Sequence, residues 1–221
     1  MSQTFCFFRS SRWMAGLAWA LPLAAADAPF QNGSFETPTL GPGTAVSINA
    51  PGDAPTGWVP SGTLGNFALF HQSNPYLTAH TGSNSIGFGG NGSTGAGINQ
   101  TFDTVAGTPY LVSFFTSAQQ LGAGPQSYLA QALSGVTVLG SSTGAIPANV
   151  AWVMQSFSFV ATGTSTRLRF TDTSDAAAAV SLNWALDSVT VTAVPEPGAF
   201  ALMGAGLLAL AWRRHQRRSA A

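Results

Sequence analysis

Thr166-Arg167-Leu168-Arg169-Phe170 is the stretch that decides the fold of this chain. Apolar and basic side chains alternate in it, and successive side chains of a β-strand point to opposite faces of the sheet. Leu168 and Phe170 are therefore expected to face the core, while Arg167 and Arg169 face solvent. The pattern predicts a half-buried strand in a β-rich domain.

Further short apolar or alternating runs lie on both sides of this strand, separated by turn-forming residues. The predicted strands are Asn66 to His71, Gly97 to Phe102, Tyr110 to Thr116, Ala130 to Leu139, Ala151 to Val160, Thr166 to Phe170 and Ala185 to Val191. The predicted turns are Thr39 to Gly43, Gly87 to Gly97, Leu121 to Pro125 and Gly140 to Gly144. The whole glycine-rich stretch from Gly82 to Gly97 is predicted to be loop-like. Strands at this spacing, with no helix of useful length between them, predict an all-β fold: one antiparallel β-sandwich domain.

Cysteine and charge exclude several classes of site. The only cysteine, Cys6, lies in the N-terminal segment, so the body has no disulfide, thiolate metal site or cysteine nucleophile. All basic residues are arginine, and the body keeps only Arg167 and Arg169 against a larger number of acids. Its net charge is therefore negative. No nucleic-acid partner is expected, because such proteins need clustered basic residues.

The N-terminus predicts a signal peptide over residues 1–26 that contains a signal helix. Arg9 and Arg12 supply a positive n-region, an apolar h-region follows, and Ala24-Ala25-Ala26 supplies the small residues of a cleavage site. Cleavage there leaves a body over residues 27–193. The alternative is an uncleaved N-terminal anchor.

Three segments of different chemistry lie end to end after the body. The motif Val194-Pro195-Glu196-Pro197 precedes an apolar run from Gly198 to Trp212, and a basic cluster follows, formed by Arg213, Arg214, Arg217 and Arg218. Arginine is costly to move across a bilayer, so the cluster is expected to stay cytoplasmic and the body to lie on the far side. As a helix the apolar run measures about 22 Å, against a hydrocarbon core of about 30 Å. It is predicted to be a single, marginal transmembrane helix.

The order of these segments resembles the PEP-CTERM sorting signal of Gram-negative bacteria, over residues 194–221. The resemblance implies processing by an exosortase, a membrane-embedded cysteine protease. It also implies export through the inner membrane, a transient C-terminal membrane anchor, and then a location at the cell surface or outside the cell. Proteins with this signal tend to come from bacteria that make exopolysaccharide and biofilm matrix.

The body is similar to galactose-binding-like jelly rolls, which include several carbohydrate-binding modules. The motifs that carry this resemblance are Asn32-Gly33-Ser34-Phe35-Glu36, Trp58, Ile98 to Phe102, Tyr110 to Phe114 and Ala185 to Val191. In related sandwiches the first and last motifs pair at one edge of a sheet and often hold calcium. The resemblance therefore implies a structural Ca²⁺ bound by Glu36 and Asp187, since calcium takes carboxylate and carbonyl oxygens. The alternative is that both acids accept backbone N–H bonds or face solvent.

Exposed aromatic rings are the expected sugar-binding groups, because planar rings stack on the apolar faces of pyranoses. Trp58, Tyr76 and Tyr128 lie near Pro- or Gly-rich segments and are the candidates for ligand binding. Burial in the core is the alternative for each of them. Trp152 lies in a strong strand pattern and is expected in the core.

No catalytic residue is predicted. Gly140-Ser141-Ser142-Thr143-Gly144 fits the spacing of a nucleophile elbow, which needs a strand–turn–helix context and a later histidine. The only later histidine, His215, lies in the tail. His80 is expected to be a surface or loop residue, and Asp172 and Asp175 are expected to be solvated turn residues.

The sequence therefore predicts an exported, non-enzymatic β-sandwich, and the simplest role for it is a polysaccharide-binding module whose partner is exopolysaccharide. The first alternative is a structural protein of the biofilm matrix without a discrete ligand site, favoured by the scarcity of charge. The second is a secreted glycan hydrolase, for which no nucleophile or acid–base pair is evident.

Overall fold

A computed structural model describes most of the body. The described residues are 29–62, 68–72, 78–89, 94–118, 126–146, 151–175, 184–194, 204–210 and 212. The strands, in chain order, are β1 (Ala45–Ser47), β2 (Val59–Gly62), β3 (Ala68–Gln72), β4 (Asn84–Phe88), β5 (Ala96–Asp103), β6 (Pro109–Ala118), β7 (Gln126–Ser134), β8 (Thr137–Ile146), β9 (Val153–Val160), β10 (Ser165–Asp172) and β11 (Trp184–Ala193). A 3-10 turn over Pro51–Asp53 lies between β1 and β2.

The strands form two antiparallel sheets. Sheet A has the order β1-β3-β4-β11-β6-β9, and sheet B has the order β2-β5-β10-β7-β8. Only two of these neighbouring pairs, β3–β4 and β7–β8, are consecutive in the described chain. The other connections cross between sheets or skip strands, as in jelly rolls. The predicted all-β, antiparallel sandwich is confirmed.

β10 lies in the middle of sheet B, and its alternation decides which side chains enter the core. Leu168 and Phe170 are fully buried, while Arg167 and Arg169 are half-buried. The strand pairs with β5 on one side and with β7 on the other. Both the predicted strand and the predicted direction of its side chains are therefore correct.

Aromatic rings from both sheets meet in the core. Trp184 of β11 stacks on Phe88 of β4, with ring centroids 4.3 Å apart. Phe114 of β6 contacts Phe170 of β10 edge to face at 5.0 Å, a preferred geometry for aromatic pairs. The second contact joins sheet A to sheet B.

The predicted single strand from Ala130 to Leu139 is wrong, because the segment folds as a hairpin. β7 ends at Ser134 and β8 begins at Thr137. Gly135 lies between them with φ of 59°, a conformation that glycine adopts without steric cost and that tight hairpin turns require. The predicted turn from Gly140 to Gly144 is consequently part of β8.

The glycine-rich stretch predicted as a loop, Gly82 to Gly97, contains a strand. All five positions of β4 are buried, and the strand lies between β3 and β11 in sheet A. A strand that is buried on both faces does not alternate apolar and polar residues, so a period-two pattern misses it. The short strands β1 and β2 were also not predicted.

Both predicted targeting segments fall largely outside the described residues. This holds for the signal peptide over residues 1–26, for Pro195 to Pro197 and for the arginine cluster. Of the predicted transmembrane helix from Gly198 to Trp212, residues 204–210 and 212 are described and are helical. The described part of the chain contains no helix that is long and apolar enough to cross a membrane.

The opening and closing segments of the body meet at one side of sheet A. The backbone N–H of Val189 donates to the carbonyl oxygen of Gly33 at 2.8 Å. Ser188 has φ of 52° and lies where the pairing of β11 with β6 shifts register. We refer to residues 32–37 together with 187–189 as the clasp.

A side chain at position 33 is expected to open the clasp. A Cβ on Gly33 would lie 1.9 Å from the carbonyl oxygen of Val189, so Gly33→Ala forces the two backbones apart. We expect the free energy of unfolding, measured by urea denaturation, to fall by about 1–3 kcal/mol. Gly163→Ala is the matched control, because a Cβ there has no atom within 4 Å. Equal stability of the two variants would contradict this role of the clasp.

Candidate functional site

One row of side chains crosses the outer face of sheet B from edge to edge. Strand register aligns Val59 of β2, Asn99 of β5, Arg169 of β10, Gln131 of β7 and Ser141 of β8. Neighbouring strands lie about 4.8 Å apart, so the row spans about 19 Å. We refer to the outward side chains of these five strands as the polar face.

Hydrogen bonds orient the two arginines of the polar face. Arg169 Nη2 donates to Gln131 Oε1 in the neighbouring strand. Arg167, two residues away on β10, donates from Nη2 to the carbonyl oxygen of Gly135 at 3.0 Å. Both acceptors are neutral, so these bonds hold the guanidinium groups in place without neutralising their charge.

A second row lies beside the first and consists of Ser61, Gly97, Thr171, Leu129 and Thr143. Gly97 contributes no side chain, and the Ser61 hydroxyl occupies the space beside it, since a Cβ on Gly97 would lie 2.8 Å from Ser61 Oγ. In the described strands of sheet B, no outward position carries an aromatic ring. The chemistry that this face offers is hydrogen bonding through amide, hydroxyl and guanidinium groups, together with positive charge.

Glu36 of the clasp binds the segment that leads into β4. Its Oε1 accepts the backbone N–H groups of Ser83 and Asn84, both at 2.9 Å. A Cβ on Gly82 would lie 2.4 Å from the same oxygen, and Gly82 has φ of 66°. Both the space and the backbone conformation therefore require glycine at position 82.

Asp187, the second carboxylate of the clasp, is fully buried. Its Oδ2 accepts the backbone N–H groups of His80 at 2.8 Å and Thr81 at 3.0 Å, and its Oδ1 accepts that of Ser188. Burial raises the pKa of Asp187 from 3.8 to about 7. The three backbone donors lower the pKa and the charge of Glu36 raises it, but desolvation is the larger effect.

The clasp offers oxygen atoms of the kind that binds calcium, but only a few of them. Glu36 and Asp187 supply carboxylate oxygens, and Asn84 Oδ1 is buried without a hydrogen-bond partner. Calcium takes about six to eight oxygens, so backbone carbonyls would have to supply the rest. Over the described residues, no three His, Cys, Asp or Glu side chains come together as a metal-binding group. The alternative to a calcium site is that both acids accept backbone N–H bonds, and Glu36 and Asp187 do form such bonds.

A pair formed by Ser188 of the clasp and His80 lacks the geometry of a catalytic triad. Ser188 Oγ lies 2.8 Å from His80 Nδ1 and 2.7 Å from Thr81 Oγ1. Among the contacts described, Asp187 meets the backbone of His80 rather than its ring, whereas a triad needs the carboxylate on the imidazole. The His80 ring instead stacks on Phe115 of sheet A, with centroids 3.6 Å apart. The pair fixes the loop against the sheet.

Two of the three aromatic residues proposed to bind ligand are buried. Trp58 is 2% exposed and Tyr128 is 1% exposed, so the expectation that these rings lie at the surface is wrong. The Trp58 ring packs against Phe35 and Phe170, with centroids 5.3 Å and 6.1 Å apart. Tyr76 lies outside the described residues.

Two other expectations also fail. Trp152, expected in the core, is half-buried, and its Nε1 donates to the carbonyl oxygen of Thr78 at 3.2 Å. Asp172, expected in solvent, is 1% exposed. Its Oδ1 accepts the Trp184 Nε1–H at 3.0 Å, so this acid fixes the orientation of a core tryptophan.

The body matches a known family along almost its whole length. Residues 28–192 match the model of a family described as "Protein of unknown function (DUF642)". This chain belongs to the DUF642 family. No curated protein matches it in sequence. The family description names no activity, so the function of this DUF642 protein has to be argued from its site.

The tail matches a second, separate model. Residues 193–218 match the PEP-CTERM protein-sorting motif. The identification of Val194 to Pro197 and the following segments as a sorting signal is thereby confirmed. The motif implies that this DUF642 protein is exported.

Solved structures that are similar to this chain include sugar-binding modules. TmCBM61, solved in complex with β-1,4-galactotriose, matches with a TM-score of 0.53 and 16% identity, over 76% of this chain and 100% of that chain. A CBM4 structure matches with a TM-score of 0.50 and 17% identity, over 74% and 99%. Arabinose-bound MgGH51 α-L-arabinofuranosidase matches with a TM-score of 0.53 and 15% identity, over 76% of this chain but 26% of that chain. At these identities the likeness shows a shared fold.

Replacement of Trp58 tests whether its ring is a core residue. Trp58→Ala removes a buried ring and should lower the free energy of unfolding by about 3–5 kcal/mol. Trp58→Phe keeps most of the packing but loses the hydrogen bond from Nε1 to the Asn32 carbonyl oxygen, so a smaller loss of about 1–2 kcal/mol is expected. Chemical denaturation measures both. A Trp58→Ala variant as stable as the wild type would show that the ring lies outside the core.

The ionisation of Asp187 should make the metal-free protein less stable as pH rises. Its pKa is raised from 3.8 to about 7 in the folded state, so the folded protein holds this proton more tightly than the unfolded chain. The resulting stabilisation is fully present below about pH 4 and is lost as pH rises through about 7, a change of about 4 kcal/mol. Urea denaturation between pH 4 and 8 with a chelator present measures it.

Asp187→Asn cannot ionise at this position and should lose that part of the pH dependence. Asp103→Asn, which replaces a half-buried acid of sheet B, serves as the control and should keep the slope of the wild type. If the wild type and Asp187→Asn show the same slope between pH 4 and 8, the buried carboxylate does not titrate as described.

Proposed function

We propose that this DUF642 protein is an exported, non-catalytic polysaccharide-binding protein whose ligand lies along the polar face. The observation that carries the proposal is the row formed by Asn99, Arg169 and Gln131 on three adjacent strands. Amide and guanidinium groups donate and accept the hydrogen bonds that sugar hydroxyls make. A rigid sheet holds these groups at fixed spacing, which lowers the entropy cost of binding an extended chain.

The comparisons support this proposal at the level of fold. TmCBM61 was solved with a galactose trisaccharide bound, and this chain covers that module completely. A sandwich of the same architecture can therefore carry a glycan site. The absence of a triad around Ser188 and His80 in the described contacts agrees with a binding role rather than with hydrolysis.

The sorting signal supports the place of action. We propose that an exosortase processes the tail, that the C-terminal helix anchors the protein in the membrane until then, and that the body afterwards stays at the cell surface or leaves the cell. The last described backbone bond of the body runs from the Val194 N–H to the Pro109 carbonyl oxygen at 2.8 Å. Processing beyond Val194 would leave β11 and its pairing intact.

We propose calcium at the clasp as a structural ion, separate from the glycan site. It would lie between Glu36 and Asp187 and would favour the ionised form of Asp187, whose burial otherwise opposes charge. Calcium should then raise the melting temperature at pH 8 and reduce its fall between pH 4 and 8. Melting temperatures that are unchanged by calcium and by chelator would remove this part of the proposal.

A structural role in the matrix is the second candidate, and the outer face of sheet A favours it. Leu111, Met154 and Val160 are 38%, 62% and 53% exposed. β9, which carries two of them, is an edge strand of that sheet. Exposed apolar residues on an outer sheet face favour contacts between copies of a chain.

Binding to glycans tests the first candidate against the second. Affinity electrophoresis with neutral and acidic polysaccharides should show retardation of the wild-type body. Asn99→Ala and Gln131→Ala should each weaken binding by about fivefold or more, because each removes hydrogen bonds to the ligand.

Ser156→Ala and Ser158→Ala are the matched controls, because both serines are exposed on sheet A. They should leave binding unchanged. Binding that is lost in the sheet A variants but kept in the sheet B variants would contradict the polar face as the site. Concentration-dependent self-association without binding to any polysaccharide would instead support the structural role.

A further inference from the structure

The polar face carries the positive charge of the body. Arg167 and Arg169 are the arginines between residues 27 and 193, where acids are more numerous. Both lie on one strand, two positions apart, so their Cα atoms are separated by about 6.8 Å and their side chains leave the same face. A protein whose net charge is negative therefore presents two positive charges side by side on the surface proposed to bind ligand.

Both guanidinium groups are partly removed from water, and among the described residues neither forms an ion pair with an acid. The Nε atoms of Arg167 and Arg169 are buried and have no hydrogen-bond partner, and their Nη2 atoms donate to neutral oxygens. A desolvated charge that is not paired with an opposite charge costs free energy. An anion bound at the exposed side of the guanidinium would offset that cost, and the planar fork of arginine matches a carboxylate in particular.

The surroundings make the two arginines unequal. Asp103 lies on the same face of β5 as Thr101, which is the register partner of Arg167. Asp103 is thus a diagonal neighbour of Arg167 and reduces the positive potential there. Arg169 has Asn99 and Gln131 as its register partners, both uncharged. Arg169 should therefore attract an anion more strongly than Arg167 does.

We propose that the polar face selects an acidic polysaccharide, whose uronate carboxylates bind Arg169 and, more weakly, Arg167. The proposal rests on the function proposed above, because it names the class of polysaccharide that the same face takes. Asn99 and Gln131 flank Arg169 and would hydrogen-bond to hydroxyls of the adjoining sugars. A nucleic acid is disfavoured, because two arginines on a negatively charged body would release few counterions.

Calorimetric titration of the body with polygalacturonate and with a neutral galactan tests the proposal. Polygalacturonate should bind at least about tenfold more tightly at low salt, and a rise in salt to about 300 mM should remove most of that advantage by screening. Arg169→Gln should weaken binding of polygalacturonate by about tenfold or more, and Arg167→Gln by less. Both substitutions should weaken the binding of galactan less than the binding of polygalacturonate, because a neutral hydrogen bond contributes less than a charge-assisted one.

Four outcomes would overturn the inference. Equal affinity for the two polymers, or polygalacturonate binding that Arg169→Gln leaves unchanged, would contradict acidic selectivity while leaving the proposed function standing. Tighter binding of double-stranded DNA than of polygalacturonate would assign the arginines to a different polymer. A body that binds neither polysaccharide would contradict the proposed function itself.

Arg169→Lys keeps the test decisive if Arg169→Gln proves unstable. Lysine retains the charge and the long aliphatic stem but loses the planar fork. We expect the salt dependence of polygalacturonate binding to remain while the affinity falls. Circular dichroism of each variant establishes that it is folded before its affinity is compared.

Discussion

The two-residue period of β10 is the constraint on which the core and the proposed binding face both depend. Leu168 and Phe170 can be fully buried only if Arg167 and Arg169 leave the other side of the strand, because successive side chains point in opposite directions. A slip of one residue would place two guanidinium groups in the core and would be prohibitively costly. The strand that packs the sandwich therefore also fixes where its positive charge lies.

Sequence patterns predict the strands of this fold that bury one face, and they fail for the strand that buries both faces. β5, β6, β9, β10 and β11 were all anticipated within a few residues, because they alternate or form clear apolar runs. The sequence of β4 predicts a loop instead, because Asn84-Ser85-Ile86-Gly87-Phe88 is buried on both faces and consists largely of small or polar residues. The β7–β8 hairpin is harder to predict because its one turn signal, Ser134-Gly135, interrupts an otherwise continuous run of strand-forming residues.

The candidate site was harder to predict than the fold, because site residues depend on side-chain direction across strands. Trp58 was expected at the surface from the turn residues near it, yet its ring packs on Phe35 and Phe170, and neither contact is local in sequence. The row of Asn99, Arg169 and Gln131 comes from three separate strands and needs the register of sheet B to be known. What the sequence did contain was the outward direction of the two arginines.

The clasp and the polar face have different roles. The clasp, beside sheet A, holds the two ends of the body together, and the polar face, on sheet B, is the proposed binding surface. The clasp gathers one buried and one half-buried acid, three non-glycine residues with positive φ at positions 32, 35 and 188, and a close contact at Gly33, features that cost free energy unless the surrounding backbone holds them. Such a cluster can be read either as a strained functional site or as the place where the chain is closed. The hydrogen bonds of Glu36 and Asp187 go to backbone N–H groups, which favours closure. The polar face has the opposite character: its strands pair in continuous register from β2 to β7, and the described hydrogen bonds of its arginines leave their charge unneutralised. This is the combination that a rigid binding surface requires.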